Sequence, residues 1–255
     1  MTDLFSVSGR LALVTGSSRG LGRSLARALA RGGARLVVHG RDAASVAQAQ
    51  AEMTALSGHP AHAVTFDVTD AEGVAAAIGD LVAEVGLPDI LVNNAGVQRR
   101  ASFHEFPVAD WDELIAANLS GPFYVARALA PGFVARGSGK IVNVGSVQSV
   151  LARQTIAPYS ASKGGIAQLT RGMAADLARH GIQVNTLSPG YFATDMNREL
   201  VDDATFTSWL EARTPAGRWG DFAELDGALL FLCSDASSFV SGQNLVVDGG
   251  MTSVV

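Results

Sequence analysis

Seven short apolar runs, separated by alanine-rich stretches of helical spacing, constrain this chain more than any other feature. The runs are Leu11–Thr15, Arg35–His39, His62–Phe66, Ile90–Asn93, Lys140–Val144, Ile182–Leu187 and Asn244–Val247. They are near-continuous rather than alternating, the pattern of strands buried on both faces. Helix-like stretches lie between them near Gly22–Arg31, Ala43–Leu56, Ala71–Val85, Asp110–Arg136, Tyr159–His180 and Asp221–Leu232. This alternation predicts an α/β fold, a doubly wound parallel seven-stranded sheet with helices on both faces. No repeat, linker or composition break divides the 255 residues, so a single domain over 1–255 is expected. Gly190–Gly217 is the exception: it carries Phe192, Met196, Leu200, Phe206, Trp209 and Leu210 without a strand pattern. Following a late strand, it falls at the carboxyl edge of the sheet, either as a helical cover over a substrate or as a peripheral helical pair.

Composition excludes several classes. With 48% hydrophobic and 17% charged residues the chain can build a large core, and disorder is not expected. A net charge of −5 and the lack of any Lys/Arg-rich run argue against nucleic-acid binding. The lone Cys233 cannot form an intramolecular disulfide and suits a reducing compartment. No signal-peptide pattern follows Met1, and no apolar run approaches the roughly 18 residues that span a bilayer. A cytoplasmic protein without membrane association is expected. The five histidines show no metal-ligand spacing.

The first strand runs into Gly16-Ser17-Ser18-Arg19-Gly20-Leu21-Gly22, followed by an Ala/Leu/Arg helix. Glycines at such a turn let the backbone approach a pyrophosphate, and the next helix offers its N-terminal N–H groups to the anion. A ribose-binding acid is expected where the second strand ends, but Gly40 stands there and Arg41 follows. With Arg19 in the turn, two guanidiniums favour a 2′-phosphate, hence NADP(H) over NAD(H). Asp42 is the counter-argument, as a ribose acid displaced in register.

Tyr159 and Lys163 stand four apart behind Pro158, on one face of a helix that starts there. A lysine so placed is expected to lower the tyrosine pKa from about 10 toward the working pH. The phenol could then give a proton to a carbonyl oxygen or take one from an alcohol.

Together these residues resemble the short-chain dehydrogenase/reductase family, whose fold is Rossmann-like. Thr15-Gly16-x-x-x-Gly20-x-Gly22 is similar to its cofactor motif, Asn93-Asn94-Ala95-Gly96 to its sheet-stabilising motif, and Tyr159-x-x-x-Lys163 to its active-site motif. Ser146 matches the catalytic serine and Asn118 the asparagine of the fourth helix. Asp67, with Val68 beside it, matches the adenine contact. Pro189-Gly190, with Thr194 downstream, matches the segment closing over the nicotinamide carboxamide. The resemblance implies that Tyr159 is the proton donor and Ser146 a hydrogen-bond partner of the same oxygen. It also implies that Lys163 bonds the nicotinamide ribose, that Asn118 holds a proton-relay water, and that the assembly is a homotetramer.

Asn94-Ala95-Gly96-Val97-Gln98-Arg99-Arg100, Arg171-Gly172-Met173, Pro189-Gly190-Tyr191-Phe192 and Arg213–Asp221 further resemble the gluconate 5-dehydrogenase subgroup. This implies D-gluconate and 5-dehydro-D-gluconate as the substrate pair. A sugar acid needs a cation and several hydroxyl partners. Arg100, Arg153 and Gln148 are the candidates, with Arg99 and Gln98 as further ones, although each arginine could equally be a surface side chain or a subunit salt bridge. A 3-oxoacyl-carrier-protein reductase, a keto-deoxy-sugar-acid dehydrogenase and a non-catalytic cofactor sensor are the competing readings.

Overall fold

The structure is a computed structural model that describes residues 4–193 and 198–254. Its elements run β1 (Leu11–Val14), α1 (Gly20–Arg31), β2 (Arg35–Gly40), α2 (Ala43–Ser57), β3 (His62–Thr65), α3 (Ala71–Glu84), β4 (Ile90–Asn93) and α4 (Val108–Ile115). They continue with α5 (Gly121–Arg136), β5 (Gly139–Val144), α6 (Ala157–Leu177), β6 (Ile182–Pro189), α7 (Arg198–Val201), α8 (Ala204–Arg213), α9 (Asp226–Cys233) and β7 (Asn244–Val247).

The strands form one parallel sheet in the order β3-β2-β1-β4-β5-β6-β7. Its core divides by strand periodicity. Leu11 and Leu13 of β1 face one apolar cluster with Val74, Ile78, Val125, Leu129 and Ala174, whereas Ala12 and Val14 face another with Leu25, Leu29, Val46, Met53 and Leu229. Helices α3, α5 and α6 therefore cover one face, and α1, α2 and α9 the other. The expectation of strands buried on both faces holds for β1, β4 and β5. It fails at the sheet edges, where β3 alternates between half-buried and exposed residues and every residue of β7 is half-buried. An edge strand lacks the neighbour that would cover its outer side.

The chain reverses direction across the sheet between β1 and β4, and the crevice at their carboxyl ends is where such sheets bind ligands. Side-chain caps differ across the helices that border it. Asp42 caps α2 by accepting from Ser45 N, and Asp70 caps α3 by accepting from Glu72 N and Gly73 N. At α1 the N-cap residue is Arg19, and no side chain caps the helix. The first N–H groups of α1 thus face the crevice without a side-chain acceptor. Among the described residues, no helix is long and apolar enough to cross a membrane.

Candidate active site

The turn between β1 and α1 gathers Gly16, Ser18, Arg19, Gly20, Leu21 and Gly22. Gly16 and Gly20 have φ of +66° and +55°, in the region that favours glycine. A β-carbon at Gly22 would collide with the Gly16 carbonyl and with Asn94 Nδ2, so no side chain fits there. The turn is locked to the segment after β4. Asn94 Nδ2 donates to the carbonyls of Thr15 (3.0 Å) and Gly16 (3.3 Å), and Thr15 Oγ1 accepts from the N–H groups of Asn94 and Ala95. A cradle that excludes side chains, beside an uncapped helix N-terminus, fits a pyrophosphate.

His39 also holds this turn, and the sequence reading did not single it out. Its ring, 2% exposed, accepts the Gly16 N–H on Nδ1 at 2.9 Å, while Nε2 lies 3.1 Å from the Phe66 carbonyl. The proton therefore sits on Nε2 and the imidazole is neutral. Its main chain pairs with Ser17 on both sides: His39 N donates to Ser17 Oγ and Ser17 N donates to the His39 carbonyl. The one trace in the sequence was a polar residue inside an otherwise apolar strand. Burial drives its pKa from 6.5 down to about 4, against the Phe66 carbonyl and Asp67, which act to raise it. The unfolded chain takes up this proton below about pH 6.5, and the fold resists it until about pH 4. Stability is thus lost as pH falls through that window, by up to about 3 kcal/mol at about 1.4 kcal/mol per pH unit. His39→Asn, which retains an acceptor near the Nδ1 position without titrating, should flatten this dependence. Thermal melts of both proteins across the window read the difference, and parallel curves would remove His39 as its cause.

At the carboxyl ends of β2 and β3, Arg41 reaches Asp67, with NH1 3.4 Å from Oδ2. The Thr69 N–H and hydroxyl, aided by Arg41, hold the Asp67 carboxyl below the usual range against its partial burial. Val68 is buried against Gly121, where a β-carbon would press on it at 3.0 Å. Asp42 is removed as a ribose acid, because its carboxylate caps α2 at 2.8 Å from Ser45 N. Gly40 is glycine for contact reasons, since a β-carbon would lie 2.8 Å from Ser18 Oγ. Arg19 is exposed at the rim of the turn.

Ser146, Tyr159 and Lys163 converge beyond the carboxyl end of β5. Ser146 caps a short 3₁₀ turn, with its Oγ accepting from Gln148 N at 3.2 Å, and it shares a hydrogen bond with the Tyr159 hydroxyl. α6 begins at Ala157 with Pro158 in its first turn, which places Tyr159 and Lys163 on one face as expected. Lys163 Nζ donates to the Val144 carbonyl at 2.7 Å and lies 5.7 Å from the centre of the Tyr159 ring.

The expected lowering of the tyrosine pKa is not found. Burial pushes the Tyr159 phenol up to about 12; the Ser146 hydrogen bond opposes this, Tyr191 adds to it and Arg100 opposes it. Burial also brings the Lys163 ammonium down to about 8. Both groups lose water on entering the cleft, and Lys163 directs its proton at a backbone carbonyl rather than at the phenol.

Asn118 lies in a π-helical turn, Ala116–Ser120, between α4 and α5. Its side chain is fully engaged: Oδ1 accepts from Val97 N at 2.8 Å, and Nδ2 donates to the Val97 carbonyl (2.9 Å) and to Ser162 Oγ (3.3 Å). It ties the irregular segment after β4, beside Gly96, to the face of α6 next to Lys163. Pro189 ends β6, and Gly190 N beyond it donates to the Val247 carbonyl. Thr194 and Met196 lie outside the described residues.

The substrate candidates divide. Arg99 ion-pairs with Glu113 of α4 at 2.8 Å, and Gln98 accepts from the backbone of Arg99; neither joins the cleft. Gln148 is buried, and its side chain meets the Tyr191 hydroxyl, as does that of Arg153. Arg153 stacks over the Phe206 ring at 5.5 Å. Arg100 approaches Glu199 of α7 at 3.8 Å. Arg100 and Arg153 each keep a buried Nε with no hydrogen-bond partner. Tyr191, which sequence reasoning noted only within a resemblance, stands between these polar groups and an aromatic wall of Phe206, Trp209 and Trp219, at ring distances of 5.6, 6.3 and 5.9 Å.

Residues 16–252 match a family model described as enoyl-(acyl carrier protein) reductase. The chain is 54% identical over 250 residues to the gluconate 5-dehydrogenase of Gluconobacter oxydans, covering 98% of this chain and 97% of that one. It is 48% identical over 251 residues to the 5-keto-D-gluconate 5-reductase of Escherichia coli K12, covering 98% of each. A solved structure of a gluconate 5-dehydrogenase from Burkholderia cenocepacia, in complex with NADP and tartrate, matches with a TM-score of 0.97 at 54% identity over 99% of both chains.

Proposed function

The chain belongs to the short-chain dehydrogenase/reductase family, and from this we propose that it interconverts D-gluconate and 5-dehydro-D-gluconate with NADP(H). The observation that carries the substrate is the pair of orphaned guanidinium N–H groups. A buried charged donor without an acceptor is costly, and two of them beside the Ser146–Tyr159 pair create a demand for an anion. A sugar acid supplies a carboxylate there and hydroxyls for Gln148. The tartrate in the Burkholderia relative, itself a hydroxy acid, supports the same chemistry.

The nicotinamide, when bound, supplies the hydride. The chain's own residues manage the proton and the charge. In the reducing direction Tyr159, protonated because its pKa is near 12, donates to the carbonyl oxygen. Ser146 Oγ hydrogen-bonds the same oxygen, and both contacts strengthen as negative charge builds there. Lys163 would hold the ribose of the nicotinamide, and it keeps a positive charge 5.7 Å from the centre of the Tyr159 ring. Asn118 fixes the turn that keeps α6 in register, and any relay water it holds is held by its main chain, because its amide is already in use. The described residues of α7 and α8, with Tyr191 and Trp219, form the cover, its aromatic wall excluding water from the reacting carbon.

Arg41, with Arg19 across the turn, selects NADP(H), since Asp42 is committed to α2. Arg41→Ala should weaken NADPH binding by about tenfold and leave NADH nearly unchanged, the loss of one charge-assisted contact at a part-exposed site. Equal effects on both cofactors in binding titrations would refute the arginine argument. Exposed apolar side chains, among them Phe103, Val108, Trp111 and Phe123, support assembly into the homotetramer expected of the family, acting in the cytoplasm. The deciding experiment measures NADPH consumption by the purified protein with 5-ketogluconate, 2-ketogluconate, 2-dehydro-3-deoxygluconate and acetoacetyl thioesters. Turnover of 5-ketogluconate well above the others is expected. No turnover of any sugar acid would overturn the reading.

A further inference from the structure

Resting on the sugar-acid reading of the same cleft, we propose that Tyr191 is the residue that sets carboxylate specificity, by holding Arg153 in the orientation that receives the substrate anion. Tyr191 is bipolar. Its ring belongs to the cover, packed against Phe206, Trp209 and Trp219, while its hydroxyl belongs to the floor, close to the Arg153 and Gln148 side chains. Trp219 is itself fixed by an Nε1–H donation to Thr207 Oγ1 at 3.2 Å, so the wall behind the ring is anchored. At its other end the cover is tied down by Arg213, which donates to the carbonyls of Met251 (2.9 Å) and Val254 (3.1 Å).

Arg153 has no carboxylate partner among the described residues. It is held instead by neutral groups, the Tyr191 hydroxyl on one side and the face of Phe206 on the other. Neutral clamps orient a guanidinium without neutralising it, and the unpartnered Nε marks the direction in which it still lacks an acceptor. Arg100 differs, because Glu199 already lies 3.8 Å from it. Of the two cations, Arg153 is therefore the one kept ready for an incoming anion, and Tyr191 is what keeps it so. A phenylalanine at 191 preserves the aromatic wall and removes only the latch. Arg153 is then free to explore other rotamers, and part of the binding energy of a carboxylate goes into ordering it again.

The test is a double-mutant cycle on the full-length enzyme with Tyr191→Phe, Arg153→Gln and the double variant. Its readouts are KM and kcat for 5-ketogluconate, inhibition by tartrate as a carboxylate probe, and KM for NADPH. Tyr191→Phe is expected to raise KM for 5-ketogluconate and the tartrate inhibition constant about tenfold, with kcat within about twofold and KM for NADPH unchanged. In the Arg153→Gln background it should add little, because both changes remove the same oriented cation. A wild-type enzyme indifferent to 5-ketogluconate and tartrate would overturn the sugar-acid reading and this inference with it. If the wild type turns over 5-ketogluconate but Tyr191→Phe leaves KM unchanged, lowers kcat instead, or adds its full effect to that of Arg153→Gln, this inference alone falls.

Discussion

Tyr159→Phe should reduce turnover of 5-ketogluconate by about a hundredfold to ten-thousandfold while NADPH binds as tightly as before. The magnitude follows from what a positioned general acid contributes, about 10² to 10⁴ in rate. Ser146 cannot replace it. Its hydroxyl already accepts the Gln148 N–H, and a serine proton leaves far less readily than a phenol's. The fold should tolerate the change, because the only hydrogen bond to the phenol recorded here is the one with Ser146, and its loss costs on the order of 1 kcal/mol. The measurement pairs NADPH consumption under saturating substrate with a direct NADPH titration. Turnover within tenfold of wild type would move the proton donor elsewhere, and lost NADPH binding would make the residue structural. A pH profile adds a second check. With the phenol near 12, the alkaline fall in kcat/KM for reduction should appear near pH 8, where Lys163 loses its charge, rather than at a tyrosine value close to neutrality.

That profile depends on a quantity the sequence does not carry. The Tyr159/Lys163 spacing reveals the neighbour but not the water that both groups lose, and here desolvation outweighs the neighbour. The strands were legible for the opposite reason. β1, β4 and β5 are shielded on both faces, so their sequences are continuously apolar, and only the edge strands β3 and β7 depart from the pattern. The turn at Gly16–Gly22 was legible because Gly22 has no space for a β-carbon and Gly16 and Gly20 take positive φ, restrictions written directly as glycine. His39 was not, since its partners Gly16 and Phe66 lie 23 and 27 residues away and become neighbours only once β1, β2 and β3 are assembled. Arg99 and Arg100 show the limit most simply. They are adjacent in sequence, yet one turns outward to Glu113 and the other into the cleft. Asp42 was ambiguous until α2 formed and claimed its carboxylate.

Lys163→Met should abolish activity and yet stabilise the protein. Lys163 is 6% exposed, and its ammonium donates to the Val144 carbonyl and has no carboxylate partner among the described residues. Its pKa falls from 10.5 to about 8 through burial alone, so the fold disfavours the charged form. The penalty is present in full below about pH 8 and is relieved as pH rises from there toward 10.5, where the unfolded chain also releases the proton. At about 1.4 kcal/mol per pH unit this amounts to about 3 kcal/mol at neutral pH. Methionine has a similar length, no charge and a side chain that adapts to irregular cavities, so it fills the same space without that penalty. Thermal melts at pH 7 should therefore show the variant above wild type. Between pH 8 and 9 the wild-type deficit should begin to shrink. Lys140, also near 8 through burial, supplies a parallel contribution in both proteins, while Cys233 and Tyr159, raised to about 12, act in the opposite sense only at higher pH. The difference between variant and wild type, rather than either curve alone, isolates Lys163. A variant less stable than wild type at pH 7 would show that the Val144 hydrogen bond outweighs desolvation. A difference that stays constant from pH 7 to 9 would show that Lys163 does not titrate there. The expected result, greater stability with lost turnover, would mark Lys163 as a charge the fold carries at a cost because the chemistry requires it.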